Sequence, residues 1–311
     1  MSLNTGKTLK VGTVSIVGRP NVGKSTLLNA IIGEKVSIVS QVPQTTRRQI
    51  RGIYTDERGQ IVFIDTPGLH LGGDRLDKFM NRSSLGALQE VEVIIHMADA
   101  SEHVGQEEQY VVSRLKTVKI PVILGLNKVD YAKGKYIPEY IKLWEEATGK
   151  SVQELTNLIL LPLSALKGTN VEKLLDLIFE HLPQGPLLYP EDVITDFPRR
   201  LAMADLIREK LFHVMREEIP HAIAVNIESL QPRKGKIVHV RALISVDHDS
   251  QKEIVIGKKG AVLKDAGTLA RKDLEELLGQ KVFLELFVKT AKNWRDDPVQ
   301  LEEMGYVFER E

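Results

Sequence analysis

The chain has 311 residues, more than one domain usually holds, so two domains are expected, each long enough to bury its own core. Its 42 basic residues balance 42 acidic ones and it has no cysteine, which argues against nucleic-acid binding by bulk charge and removes disulfides, thiolate metal sites and a cysteine nucleophile. The opening "MSLNTGKTLKVG" lacks the apolar core of a secretory signal, and runs such as "IPVILGL" are too short to cross a bilayer, so a cytoplasmic protein is expected. Residues 11–182 alternate β-branched runs ("VGTVSIVG", "QIVFIDTPG", "VEVIIHMADA", "IPVILGLNK", "NLILLPLSA") with helical patterns. That alternation predicts an α/β domain with a largely parallel sheet and helices on both faces. The first run leads into "GRPNVGKST", where Gly18, Gly23, Lys24 and Ser25 match the phosphate-binding loop at every defined position. Asn21, Val22, Gly23, Lys24, Ser25 and Thr26 would wrap the phosphates with backbone N–H groups at a helix N-terminus. Lys24 would reach the β- and γ-phosphates, and the Ser25 hydroxyl would ligate magnesium.

Between this loop and the next motif lies "VPQTTRRQ", polar and rich in hydroxyls. Thr46, or failing it Thr45, is the candidate for a threonine that closes on magnesium when a γ-phosphate is present. Only "TDERG" separates "RRQIRGIY" from "QIVFID", a hairpin-length gap that requires antiparallel pairing and so makes the sheet mixed. Asp65 in "DTPG" is positioned to hold magnesium through water, and the Gly68 N–H to sense a γ-phosphate. His96, inside "VEVIIHMA", reads as a core histidine.

"NKVD", residues 127–130, selects the base. It ends a predicted strand, where open α/β sheets place ligands. The Asp130 carboxylate can only accept, which suits the N1–H and exocyclic amine of guanine; adenine offers neither donor in that arrangement. Asn127 would support the loop and the base edge, Lys128 would cover the base plane, and in "SAL" (Ser164, Ala165, Leu166) the Ala165 amide would donate to the guanine oxygen.

From 183 to 198 the chain is proline-rich and loses periodicity, which reads as a linker between a domain over 1–182 and one over 199–311. Beyond it Met203, Leu206, Ile207, Leu211, Val214 and Met215 fall at helical spacing; "HAIAVNIES" and "KIVHVRALISV" alternate as strands. The loop "IGKKGA" follows, then a helix marked by Leu263, Ala266, Ala270, Leu274 and Leu277 and ended by Gly279, and a last strand "KVFLELFVK". This order matches a type II KH arrangement, in which Gly257, Lys258, Lys259 and Gly260 would clamp a nucleic-acid backbone. Lys252, Lys264 and Arg271 make the surroundings locally basic, and Ile256 precedes the loop. Trp294 with Arg295 could stack on nucleotides or anchor the domain. Phe283 and Phe287 share one face of the last strand and read as core. The eight histidines show no zinc spacing.

The four nucleotide motifs in this order resemble the translation-factor-related GTPases. Leu69 stands where Ras-like enzymes carry a water-orienting glutamine, so slow intrinsic turnover is expected; His70 is a weak substitute, being a lone histidine in a loop. The resemblance also implies that Asn21 helps hold a potassium ion near the phosphates. The whole chain closely resembles one family, the bacterial Era GTPases, through "GRPNVGKSTLLNA", "PQTTRRQIRGI", "DTPGLH", "NKVD", "EIPHAIAV", "SQKEIVIGKKG" and "NWRDDP". It implies a GTP-hydrolysing switch, monomeric, that uses Lys24, Thr46, Gly68 and Asn21 in catalysis and binds single-stranded small-subunit rRNA near its 3′ end during assembly of the 30S-type subunit. Peripheral contact with the inner face of the cell membrane is implied as well. The segment "LGGDRLDK" departs from the family's usual Lys-Pro start after "DTPGLH". A KH adaptor with a merely stabilising nucleotide pocket stays open as an alternative; a lipid-anchored signalling GTPase is disfavoured, since no lipidation site is present.

Overall fold

In the computed structural model, which describes residues 9–215, 222–233 and 236–306, the chain divides into two compact units. Within the described residues, one unit holds 9–37, Thr46–Leu71 and Met80–Asp196; the other holds Ile38–Thr45, Gly72–Phe79 and the residues from Phe197 onward.

The first unit is built on a six-stranded sheet. Strands β1 (Lys10–Val17), β3 (Gly59–Asp65), β4 (Val93–Asp99), β5 (Val122–Asn127) and β6 (Leu158–Pro162) run parallel, while β2 (Ile50–Asp56) pairs antiparallel with β3. The order is β2-β3-β1-β4-β5-β6, the mixed, mostly parallel sheet expected from the hairpin-length gap. Gly59 closes that hairpin at φ 148°, and a Cβ there would lie 1.8 Å from the Lys10 carbonyl oxygen, so only glycine fits. In chain order the helices between the strands are α1 (Lys24–Ile32), α2 (Arg75–Gly86, of which the part from Met80 belongs to this unit), α3 (Gln106–Leu115), α4 (Val129–Ala132) and α5 (Ile137–Thr148), with α6 (Val171–His181) after β6. Every residue of β3, β4 and β5 is buried, as strands covered on both faces must be. On one face Ile94, Leu124 and Leu126 pack with Val111 and Val112 of α3 and Trp144 of α5.

The second unit runs α7 (Arg199–Val214), β7 (Ala224–Arg233), β8 (Ile237–Val246), α8 (Asp249–Ile256), the GKKG loop, α9 (Ala261–Leu278), β9 (Lys281–Thr290) and α10 (Pro298–Glu303). Its sheet order is β7-β8-β9, antiparallel then parallel, which is the element order expected of a type II KH domain. Met203, Ile207 and Leu211 of α7, Val240, Ala242 and Ile244 of β8, and Ala266, Ala270 and Leu274 of α9 form its core, which Ile38 joins from the 38–45 segment. Two ion pairs, Arg295 Nε to Asp74 Oδ2 at 2.5 Å and Arg295 Nη2 to Asp77 Oδ1 at 3.1 Å, hold the 72–79 segment in this unit. Arg208, buried, donates from Nη2 to the Thr45 carbonyl at 2.6 Å and so holds the 38–45 segment there.

Two sequence expectations need correction in this unit, the core reading of Phe283 and Phe287 and the stacking alternative for Trp294, which instead anchors its domain. Phe283 and Phe287 are not core: they are 44% and 40% exposed, on the face of β9 turned away from the helices, each beneath an arginine, Arg233 and Arg241, at 4.3 Å. Alternation pairs them properly but does not say which face is covered; Val282, on the opposite face, is the buried residue. Leu277, at the end of α9, is 38% exposed. Trp294 presents no face to a ligand, because it is fully buried and its Nε1 donates to the Ala222 carbonyl at 2.9 Å. Trp294→Ala is therefore expected to destabilise the second unit by about 3–5 kcal/mol, read from the midpoint of its transition in chemical denaturation.

Candidate functional site

The strand ends and the loops that leave them bring the first unit's predicted residues together. After β1 the chain turns through Gly18 and Gly23, at φ 154° and 103°, into α1. A Cβ on Gly18 would lie 2.2 Å from the Met97 carbonyl oxygen, and one on Gly23 2.3 Å from Asn127 Nδ2, so both glycines are required by what packs behind the loop. Gly68 is similarly confined, with a Cβ there 2.5 Å from Pro20 N. Lys24 is buried, its Nζ donating to the carbonyls of Gly18 at 3.1 Å and Arg19 at 2.9 Å. Burial pushes its pKa down to about 8, against the raising influence of Asp65.

The predicted magnesium ligands converge. Ser25 Oγ lies 2.9 Å from Thr46 Oγ1 and donates to Asp65 Oδ2 at 2.7 Å, and Ser37 Oγ donates to the same oxygen at 2.9 Å. Asp65 Oδ1 is buried with no hydrogen-bond partner, and burial raises the carboxyl's pKa, opposed by Lys24 and the serine hydroxyls. Oxygens from hydroxyl and carboxylate groups around one unpartnered acceptor suit a hard divalent cation, so these residues fit magnesium. Thr45, the alternative to Thr46, spends its hydroxyl on the Val42 carbonyl within the second unit.

Asn127, at the end of β5, is buried and bridges two loops: its Nδ2 donates to the Val22 carbonyl at 2.7 Å and its Oδ1 accepts from Ala165 N at 2.9 Å. The Ala165 amide, expected to face the guanine oxygen, thus makes its hydrogen bond to Asn127. Lys128, at φ 63°, places its Nζ 2.5 Å from Asp99 Oδ2, and Asp130 stands exposed in α4. Ser164 is buried, accepting from Lys167 N at 3.1 Å, while Leu166 is exposed and Thr26 half-buried. Asn21, exposed at φ 62°, lies at the crest of the phosphate loop. Leu69 is fully buried, its N–H on the Gly18 carbonyl at 3.1 Å; His70 is buried, its Nδ1 2.8 Å from the Gly68 carbonyl oxygen, so neither side chain is offered to a water in solvent.

In the second unit the GKKG loop has the left-handed backbone that glycine permits, with Gly257 at φ 73° and Gly260 at 77°. Lys258 and Lys259 are exposed, Lys252 and Ile256 half-buried. Beside the loop lies a cavity of about 360 Å³ between α9 and β9, lined by Leu263, Lys264, Gly267, Thr268, Arg271 and Leu286 among others. Gly267 lets strand and helix approach, since a Cβ there would already touch Leu286 at 3.3 Å. Lys264 and Arg271, predicted from charge, lie on this groove; Arg295, predicted with them, is occupied by Asp74 and Asp77.

A family model for 50S ribosome-binding GTPases matches residues 13–128, and one for the KH domain matches residues 218–295. A curated relative, GTPase Era of Halothermothrix orenii, is 44% identical over 297 residues, covering 96% of this chain and 98% of the relative. This chain belongs to the Era GTPase family. It is accordingly a GTPase, with a phosphate-loop domain followed by a KH domain. The crystal structure of a point variant of Aquifex aeolicus Era bound to GDP·AlF4⁻ superposes with a TM-score of 0.88 at 40% identity, covering 96% of this chain and all of that one. An Era structure in complex with MgGDPNP and nucleotides 1506–1542 of 16S ribosomal RNA gives 0.89 at 40% identity and the same coverage.

Sequence reasoning missed several residues that the structure places against the predicted ones. Ser37, in "VSIVS", carries no local signal for its bond to Asp65. Asp99 could have been found, because it ends β4 directly opposite Asn127 of β5, at the sheet edge where ligands gather. Leu263, Gly267 and Thr268 share a face of α9 through helical spacing, and Leu286 of β9 meets them only through tertiary packing. Replacing Asp130→Asn is expected to weaken GDP about 100-fold or more, by losing charge-assisted hydrogen bonds, and to shift preference toward xanthine nucleotides in competition binding; unchanged guanine selectivity would remove Asp130 from the base pocket. For the GKKG loop, Lys258→Ala with Lys259→Ala is expected to weaken single-stranded RNA binding and flatten the slope of log K against log salt by about 1.4.

Proposed function

We propose that this Era-family GTPase is a nucleotide-controlled RNA-binding switch acting in assembly of the small ribosomal subunit. Residues 1–182 form its GTPase domain, 183–198 a linker and 199–311 its RNA-binding domain. The observation that carries the reading is the convergence of Ser25, Thr46 and Asp65 on one spot beside Lys24, since a loop threonine at a magnesium site is what lets a γ-phosphate order that loop. Magnesium, when bound there, neutralises charge on the phosphates during GTP hydrolysis. Lys24 gives up the Gly18 and Arg19 carbonyls to meet the β- and γ-phosphates. Gly68 offers its N–H to the γ-phosphate, Asn21 helps hold a potassium ion, and Asn127, Lys128 and Asp130 hold guanine with the Ser164–Leu166 loop. With Leu69 buried and apolar, no side chain at that position orients the attacking water, so turnover without a partner is slow.

In this reading the RNA is single-stranded and comes from the 3′ end of small-subunit rRNA, supported by a related Era solved in complex with nucleotides 1506–1542 of 16S ribosomal RNA. The GKKG backbone and its lysines grip phosphates, while the groove lined by Lys264 and Arg271 receives bases. The protein acts as a monomer in the cytoplasm. No helix among the described residues is long and apolar enough to cross a membrane, so contact with the inner face of the membrane would be peripheral.

Nucleotide can move the RNA-binding equilibrium only through different affinities for two arrangements, and the coupling must then run both ways. Steady-state GTP hydrolysis in potassium and in sodium buffer, each with and without a short RNA carrying the 3′ end of small-subunit rRNA, tests this. Potassium and RNA should each raise turnover. RNA that binds but leaves turnover and nucleotide affinity unchanged would overturn the switch in favour of an adaptor, and equal rates in the two salts would remove the potassium role from Asn21.

A further inference from the structure

A chain of buried and half-buried charges lies behind the nucleotide site. Asp99 is 1% exposed, yet it meets two cations. Its Oδ2 lies 2.5 Å from Lys128 Nζ and 3.9 Å from Arg19 Nη2, while its Oδ1 accepts from Ser101 N at 3.0 Å and Ser101 Oγ at 2.5 Å. The Asp99 main chain is fixed too, its carbonyl accepting from Tyr140 Oη at 2.7 Å, and the next residue's N–H donates to the Asn127 carbonyl at 2.9 Å. Arg19 continues the chain: its Nη2 lies 2.6 Å from Glu102 and its Nε 3.4 Å from the buried Glu108, whose Oε1 lies 2.7 Å from His96 Nε2.

The two cations come from different loops and meet at Asp99 Oδ2. Lys128 is the residue of the base-selecting loop that would lie over the guanine plane. Arg19 opens the phosphate loop, and its own carbonyl holds Lys24 Nζ. Lys128 has a flexible four-carbon stem, and left to itself would sample many rotamers, freedom that must be given up when it is ordered on ligand binding. A buried carboxylate fixed by the Ser101 hydroxyl and amide removes much of that freedom beforehand. Asp99 is the buried member of the pair, so losing Lys128 would leave its carboxylate in the interior with Arg19, at 3.9 Å, as its cation partner.

We propose that Asp99 is a positioning residue for guanine-nucleotide binding: it holds Lys128 in place beside the base and steadies Arg19 at the start of the phosphate loop. Asp99 touches neither base nor phosphate in this scheme and acts through its two partners. It therefore tightens GDP and GTP alike, without changing the choice of base, which belongs to Asp130.

The inference rests on the guanine-nucleotide reading of the pocket, and a double-mutant cycle on GDP release separates the two. Dissociation of a fluorescent GDP is measured for the full chain and for Asp99→Asn, Lys128→Met and the double variant. Asp99→Asn should speed release about tenfold, and the double variant should release GDP clearly more slowly than the product of the two single effects, because the Lys128 share of the interaction is already gone. Preference for guanine over xanthine nucleotides should be unchanged in Asp99→Asn. Independent, multiplying effects of the two substitutions, or an unchanged release rate in Asp99→Asn, would overturn the proposal. Failure of the unsubstituted chain to bind GDP would instead remove the pocket assignment. If Asp99→Asn does not fold, Ser101→Ala, which loosens the same carboxylate, replaces it in the cycle with a smaller but equally non-additive effect; additivity there overturns the proposal as well.

Discussion

The nucleotide site depends on one side-chain amide. Asn127 reaches the Val22 carbonyl with its nitrogen and the Ala165 amide with its oxygen, so a single buried group ties the phosphate loop to the loop after β6. Both partners are main-chain groups, which fixes backbone rather than rotamers. A buried amide left without partners would cost roughly 1–3 kcal/mol for each unsatisfied group, so the two loops hold each other in place. Gly23 follows from the same contact: the nitrogen of Asn127 occupies the space that any other residue's Cβ would need.

Much of this was legible in the sequence because the constraints are local. Gly18 and Gly23 sit where the backbone takes positive φ against packed neighbours, and Lys24 and Ser25 follow at fixed offsets on the first turn of a helix. The "TDERG" gap forced the antiparallel β2–β3 pair by length alone. What stayed hidden depends on contacts that sequence spacing does not encode. Ser37 meets Asp65 only after a loop returns to the β3 end. Phe283 and Phe287 show the limit of alternation, which assigns residues to faces but leaves open which face the helices cover. Helices α7 and α9 pack over the face carrying Val240, Ala242 and Val282, and the phenylalanines are left on the other, sheltered by arginine side chains.

Charge is organised in the same way, by place rather than by total. The chain's balance of 42 basic and 42 acidic residues hides a loop with adjacent exposed lysines and a groove edged by Lys264 and Arg271. Elsewhere opposite charges are spent on one another, as in Arg295 with Asp74 and Asp77. Basic groups therefore gather on the solvent side around GKKG, which is how a neutral protein can still present a phosphate-binding face.

Burial then sets the behaviour of the two charges proposed to meet phosphate and metal. Lys24 and Asp65 lie in the same low-dielectric region, and burial drives both toward their neutral forms, the lysine down to about 8 and the carboxyl upward. Their mutual attraction offsets this only in part. A triphosphate against Lys24 and a divalent cation against Asp65 each favour the charged form of the group they meet. Each also supplies charge that the other needs, so nucleotide and cation reinforce one another's binding through these two side chains. Thr46 lies within hydrogen-bond distance of Ser25, the residue that also bonds Asp65, so the loop's order is tied to the same balance of charge. With magnesium and nucleotide held as proposed, a γ-phosphate would change how fully that buried set of charges is compensated, and the Thr46 loop would respond to it.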